Sequence, residues 1–162
     1  MSRPRLPLAA IASLAAAGLL VVGLFLSWWS GPLEIGDYRI RLHAMDLCMG
    51  DRGCHSMGLA NAGENAVLWS RLGTAVMGAS VVSALLLLWS AIGALRHVEK
   101  SVMPWIASAL CLFSAALSAL FVATHPEFGD LTPGYGMVCT FVGAGVGAAS
   151  ARLIYARSSG SS

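Results

Sequence analysis

Four long runs without a charged residue, 6–27, 72–95, 102–124 and 131–151, alternate with short polar segments and one longer one. A helix rising about 1.5 Å per residue needs roughly 20 residues to cross a hydrocarbon layer about 30 Å thick, and each run reaches that length. The pattern predicts an all-α membrane fold, a four-transmembrane-helix antiparallel bundle with helices over 7–28, 66–95, 102–124 and 135–155. These form a single domain over 1–157, followed by a flexible tail at 158–162. Pro7 suits a first helical turn, Gly31-Pro32 is read as the stop of helix 1, and Ser101 with Pro104 as the start of helix 3.

Between the first two helices lies an outer loop, 29–65, in which the period changes. Tyr38, Ile40 and Leu42 alternate with Arg39, Arg41 and His43, and Gly36-Asp37 suits a two-residue type II′ turn. A small β-hairpin or sheet is expected there, with an apolar face towards the helices and a cationic face towards water. An isolated hairpin is marginal in water, so it should lean on the bundle.

Composition supports the membrane reading. The chain is 57% hydrophobic and 11% charged, less than half the charged share of an ordinary soluble domain. Charge also orients it, since Arg3, Arg5, Arg96, Lys100, Arg152 and Arg157 all fall on the side that holds both termini, against Glu99 alone. The opposite side sets Arg39, Arg41, Arg52 and Arg71 against seven acidic residues. Basic loops stay inside, which predicts cytoplasmic termini and loops 30–65 and 125–134 outside the cytoplasm. Trp28, Trp29 and Trp69 at outer helix ends, with Trp89 and Trp105 towards inner ones, read as aromatic belts. A signal peptide is the competing reading of 1–27, but the apolar stretch is long for a signal core and continues into Trp28-Trp29, so the first helix should remain. Nine arginines to one lysine fit a bacterial source, and the expected location is a bacterial inner membrane.

Cys48 and Cys54 lie on the oxidising side with Gly50 and Gly53 between them, and a disulfide is the economical inference. Its rival is thiol exchange, as in four-helix oxidases that pass electrons to quinone, with Cys111 and Cys139 as further thiols. That reading lacks a Cys-x-x-Cys. A zinc or copper site from His43, Cys48, Cys54, His55 and His125 is a further alternative, at a spacing that matches no known finger, and no metal or other cofactor is expected. Arg71, two turns into helix 2, is expected to snorkel or to pair with Glu64, Glu127 or Asp130 as a structural charge. Gly143, Gly145 and Gly147 on helix 4, and Ser114 and Ser118 on helix 3, are small enough for close helix packing. No phosphate loop, nucleophile triad or nucleic-acid patch is present.

This order of features, with Trp28 or Trp29 after helix 1, Cys48 and Cys54 in a strand-forming first loop and Arg71 opening helix 2, resembles the claudin and peripheral-myelin-protein superfamily. His43-Ala44-Met45 stands where that family has Gly-Leu-Trp, and paracellular sealing is not carried over. The resemblance implies a non-enzymatic protein that presents a disulfide-pinned extracytoplasmic sheet to another protein. Tyr38, Arg39, Arg41, Asp51 and Arg52 are the expected contact residues, and the expected partners are the lipid bilayer and a membrane or extracytoplasmic protein or a second copy. The alternatives are the thiol oxidase and an accessory subunit of a larger membrane complex.

Overall fold

The computed structural model describes residues 5–33, 36–49, 53–61, 66–96, 102–124 and 131–159. Its elements in chain order are α1 (Arg5–Phe25), β1 (Trp29–Leu33), β2 (Gly36–Ile40), β3 (Ala44–Cys48), β4 (Cys54–Gly58), a 3-10 turn at Leu59–Asn61, α2 (Ala66–Leu95), α3 (Met103–Ala123), β5 (Thr132–Pro133) and α4 (Tyr135–Ser159). Four helical segments, Pro7–Phe25, Ala66–Leu95, Met103–Ala123 and Tyr135–Arg157, are long and apolar enough to cross a membrane. α1 packs on α2 and α4, α3 packs on α2 and α4, and a smaller contact joins α2 to α4.

The ends differ from expectation where tertiary partners capture the backbone. α1 stops at Phe25 because the next residues are drawn elsewhere: Trp28 N–H donates to Ile40 O (2.7 Å), and Ser27 O and Trp28 O accept from Gly136 and Gly134. Gly31-Pro32 is therefore not a helix stop but part of β1. Proline is tolerated there because the bond from Arg41 N–H to Ala44 O (2.8 Å) fixes the alternation, leaving the Pro32 nitrogen on the side away from β2. On that side β5 reaches only Trp29 and Ser30. α3 starts at Met103 with Val102 as its cap residue and Pro104 in its first turn, while Ser101 lies outside the described residues. α4 runs four residues beyond Tyr155, through Ser158 to Ser159.

The sheet is five-stranded and antiparallel, in the order β4-β3-β2-β1-β5. Four strands form a meander from the loop between α1 and α2, and β5 comes from the segment between α3 and α4. Gly36 and Asp37 lie inside β2, opposite Leu33 and Pro32, and so do not form the expected two-residue turn; residues 34–35 lie outside the described set. Gly36 is needed for close approach instead, since a Cβ there would collide with Cys48 O. The alternation itself appears as expected: Tyr38, Ile40 and Leu42 are buried, Arg39 and His43 exposed, and Arg41 half-buried.

Two cores follow from two kinds of contact. Beneath the sheet, Trp28, Trp29, Tyr38, Ile40, Leu42, Leu59, Trp69 and Phe121 form an aromatic and aliphatic cluster. Trp69 stacks on Phe121 with centroids 4.8 Å apart, and Trp28 meets the same ring edge-on at 5.5 Å. The indole N–H groups are satisfied by backbone carbonyls, Trp28 by Gly23 O and Trp69 by Phe121 O, each at 3.0 Å. Trp28, Trp29 and Trp69 are thus core residues rather than an outer belt: each buries a large apolar body, and the donors of Trp28 and Trp69 are met by helix-end carbonyls. Trp89 and Trp105 do stand exposed on the helices.

Farther along the helices the core consists mainly of small residues, Ala16, Ala17, Ala84, Ala107, Cys111, Ala144, Ala148 and Ala151, around Leu20 and Leu87. Hydroxyls bridge the helices: Ser13 donates to Ser150 (2.9 Å), Ser80 bonds Ser114 (2.9 Å), and Ser108 donates to Ala148 O (3.1 Å). Ser118 bonds back to Ser114 O at 2.8 Å within α3. Gly143 and Gly147 are buried against their neighbours. A Cβ at Gly143 would lie 3.1 Å from Ala16 O, and one at Gly147 would lie 2.8 Å from Leu87 Cδ1. Gly145 does not share that role, since it faces outward with nothing within 4 Å of a Cβ position.

Candidate interaction surface

Cross-strand neighbours share a face of a sheet, so the pairing register sorts the side chains. Trp29, Tyr38, Ile40, Met45 and Leu47 turn towards the helices, and Met57 falls on the same face. Ser30, Pro32, Asp37, Arg39, Asp46, Cys48, Cys54, Ser56 and Thr132 share the other face. Sequence alternation in β2 alone thus sets the polarity of the whole sheet, because the antiparallel register carries it from strand to strand.

Several contacts hold this polar face. The Cys48–Cys54 disulfide joins the directly opposed residues at the end of β3 and the start of β4. Arg41 and Asp46 form an ion pair, with Asp46 only 6% exposed. At the other side Thr132 Oγ1 donates to Ser30 O (2.8 Å) and lies 3.1 Å from Ser30 Oγ, which ties β5 to β1. A depression of about 290 Å³ opens between these strands, lined by Ser30, Gly31, Pro32, Asp37, Arg39 and Thr132.

The expected contact residues divide accordingly. Arg39 is exposed on the polar face. Arg41 is committed in part to Asp46, and Tyr38, 6% exposed, is packed into the core beneath the sheet and presents no free side chain. Asp51 and Arg52 lie outside the described residues. Arg71 is exposed on α2 and has no acidic partner among the described residues, while Glu64, Glu127 and Asp130 fall outside them. Sequence reasoning missed Asp46, Ser30 and Thr132. Asp46 had a usable signal, an acid in an alternating strand, but Ser30 and Thr132 are 102 positions apart and nothing local joins them.

The remaining thiols, Cys111 and Cys139, are free. Cys111 is buried among Leu87, Ala107 and Gly147, and twelve helical residues separate it from the sheet end of α3, about 18 Å along the axis. Cys139 is half-buried in the second turn of α4. Among the described residues no three histidine, cysteine, aspartate or glutamate side chains are placed to hold a metal ion. His55 follows Cys54 on the opposite face of β4, and both cysteine sulfurs of the proposed ligand set are bonded to each other.

No protein-family model matches the chain, and no curated protein is similar enough to stand as its relative.

Proposed function

We infer that the chain is a multi-pass integral membrane protein, an antiparallel bundle that holds a disulfide-pinned sheet outside the cytoplasm for contact with another protein or a second copy. The observation that carries the membrane part is an inversion of residue size. α1 buries five small residues, Ala9, Ala10, Ser13, Ala16 and Ala17, beside Leu20 and Leu24, while exposing Leu8, Ile11, Leu14, Val21, Val22 and Phe25. α3 likewise buries Ala107, Ser108, Cys111, Ser114 and Ser118, with Phe121 as its one large buried side chain apart from Pro104 among the described residues, and exposes Trp105, Leu112, Phe113 and Leu120. In water the larger apolar groups belong inside. In lipid no such gradient exists, and small residues that permit close backbone approach gather between the helices.

The exposed residues also mark a consistent slab. From Arg71 to Trp89 on α2, from Trp105 to Ala123 on α3 and from Tyr135 to Arg152 on α4 the separations are about 27, 27 and 25 Å along each axis, close to a bilayer's hydrocarbon thickness. Charge supports the orientation: the sheet side has four basic and seven acidic residues, a balance of −3, and the side of the termini has six basic residues and Glu99, a balance of +5. The arginine-rich composition favours a bacterial inner membrane.

The contact role rests on the sheet. Its apolar face is used by the aromatic cluster, and its polar face is left exposed, braced by a disulfide, an ion pair and a strand from a distant segment. A braced polar platform loses little conformational freedom when a partner binds. The claudin-like arrangement of four apolar helices, a sheet and its bridge supports the same reading. Membrane integration is tested by alkaline carbonate extraction and by accessibility of cysteines introduced at Arg39 and Arg96. Labelling from outside at 39 and only from the cytoplasm at 96 is expected, and extraction into the aqueous phase would overturn the proposal. The contact role is tested by cross-linking from Arg39 in intact cells, where no adduct to any protein would refute it.

A further inference from the structure

The meander leaves a strand edge unpaired. β4 closes the sheet on the side away from β5, four of its five residues are exposed, and among the described residues nothing pairs with its outer edge. The groups lining that edge follow from two hydrogen bonds. Met49 N–H donates to Gly53 O (3.1 Å) and Leu59 N–H to His43 O (3.4 Å), so the bonded positions of the β3–β4 ladder fall on Gly53, His55, Met57 and Leu59. The N–H and C=O groups of Cys54, Ser56 and Gly58 therefore point outward.

Exposed edges are normally guarded by lysine, proline, a bulge or a covering loop. The strand Cys-His-Ser-Met-Gly has no lysine, arginine, carboxylate or proline, and its pairing with β3 is regular across all five residues. The disulfide at Cys54 fixes it in the extended form that pairing requires.

A ribbon of five residues covers far less than the about 1,200 Å² that a lasting complex in solution needs, so a freely diffusing peptide would not stay. A second copy in the same bilayer arrives at the same height and orientation and at high effective concentration. The edge is also self-complementary. A two-fold axis through Ser56 sets Ser56 opposite Ser56 and Cys54 opposite Gly58, so every outward donor meets an acceptor, and with no carboxylate or basic chain on the strand no fixed like charges face each other. The geometry points to β4 as a self-pairing edge, along which two copies join antiparallel into one continuous sheet. This rests on the membrane and contact reading above and names the partner for it.

The test is the dimer fraction of the full-length protein in lipid vesicles, measured by single-molecule photobleaching across a range of protein-to-lipid ratios. Ser56→Lys places two ammonium groups opposite each other, Ser56→Pro removes an outward N–H without touching the ladder to β3, and Ser56→Thr preserves the edge. Protection of Cys48 and Cys54 from alkylation without reductant reports that each variant is folded. The expected result is at least a tenfold weaker association for both the lysine and proline variants, with threonine unchanged. Wild-type protein that stays monomeric at every density, or folded lysine and proline variants that dimerise as well as wild type, overturns the self-pairing. An inserted monomer that cross-links through Arg39 to a different protein overturns only this inference, whereas loss of membrane insertion overturns the reading beneath it.

Discussion

Gly143, Gly145 and Gly147 lie within little more than one turn of α4 yet differ in surroundings, and one added methyl group separates them. At Gly143 an alanine Cβ would sit 3.1 Å from Ala16 O, Leu19 Cβ and Leu20 N. Two of those atoms are backbone, which cannot rotate away, so α1 and α4 must part by a few tenths of an ångström. Overpacking of this kind costs about 1–3 kcal/mol, against a gain of about 0.5–1 kcal/mol from replacing glycine inside a helix. The net expectation for Gly143→Ala is a loss of about 1–2 kcal/mol. At Gly147 the methyl would meet Leu87 Cδ1 at 2.8 Å and Cys111 Sγ at 3.0 Å, both movable side-chain ends, and the two effects nearly cancel. At Gly145 nothing lies within 4 Å, and only the helix gain of about 0.5–1 kcal/mol remains.

For a chain of this length each kcal/mol moves the unfolding midpoint by about 2–4 °C. Thermal unfolding of the purified protein in one fixed detergent should therefore give a midpoint lower by about 2–8 °C for Gly143→Ala, nearly unchanged for Gly147→Ala and higher by about 1–4 °C for Gly145→Ala. An equal fall at Gly143 and Gly145 would refute the assignment of α4's faces.

Three further outcomes are expected. Cys48→Ser opens a six-residue separation whose closure contributes about 2 kcal/mol in the chain-entropy model, so limited proteolysis should cut the first loop faster while membrane insertion is unaffected; equal protease resistance would contradict it. Arg41→Leu leaves the buried Asp46 carboxylate without its partner and should cost about 1–3 kcal/mol in denaturant unfolding, with Arg41→Leu/Asp46→Leu recovering part of the loss; no recovery would show that the pair is not the cause. Ser90 on α2 is buried with an Oγ atom that lacks a hydrogen-bond partner among the described residues, so Ser90→Ala should be neutral or stabilising by up to about 1 kcal/mol, whereas Ser80→Ala strands Ser114 Oγ and should cost about 0.6 kcal/mol; the reverse order in thermal unfolding would refute this.

Local signals were legible where the physics is local. The alternation over Tyr38 to His43 named the buried and exposed faces of β2 correctly, because period-two patterning follows directly from the pleat. The spacing of Cys48 and Cys54 named the disulfide, since only a tight reversal of an extended chain brings such neighbours face to face. What failed depended on distant partners. Gly31-Pro32 carries the composition of a helix stop, and only the short reach of β5 makes a strand proline acceptable there. Thr132-Pro133 is too short to show any period, and its partner strand lies about a hundred residues earlier.

The tryptophans and glycines failed for a different reason, which bears on how such helices can be read. When both sides of a helix are apolar, hydrophobicity does not distinguish the side facing protein from the side facing lipid. Trp28 and Trp29 fit a belt as well as a core on polarity alone, and Gly145 looks the same as Gly143. Size does carry the distinction. On α4 the buried positions Thr140, Gly143, Ala144, Gly147, Ala148 and Ala151 recur at intervals of three and four, while Val138, Val142, Val146 and Leu153 project outward. That periodicity puts Gly143 and Gly147 on one stripe and Gly145 off it, and it was available in the sequence once residue volume rather than hydropathy was followed around the helix.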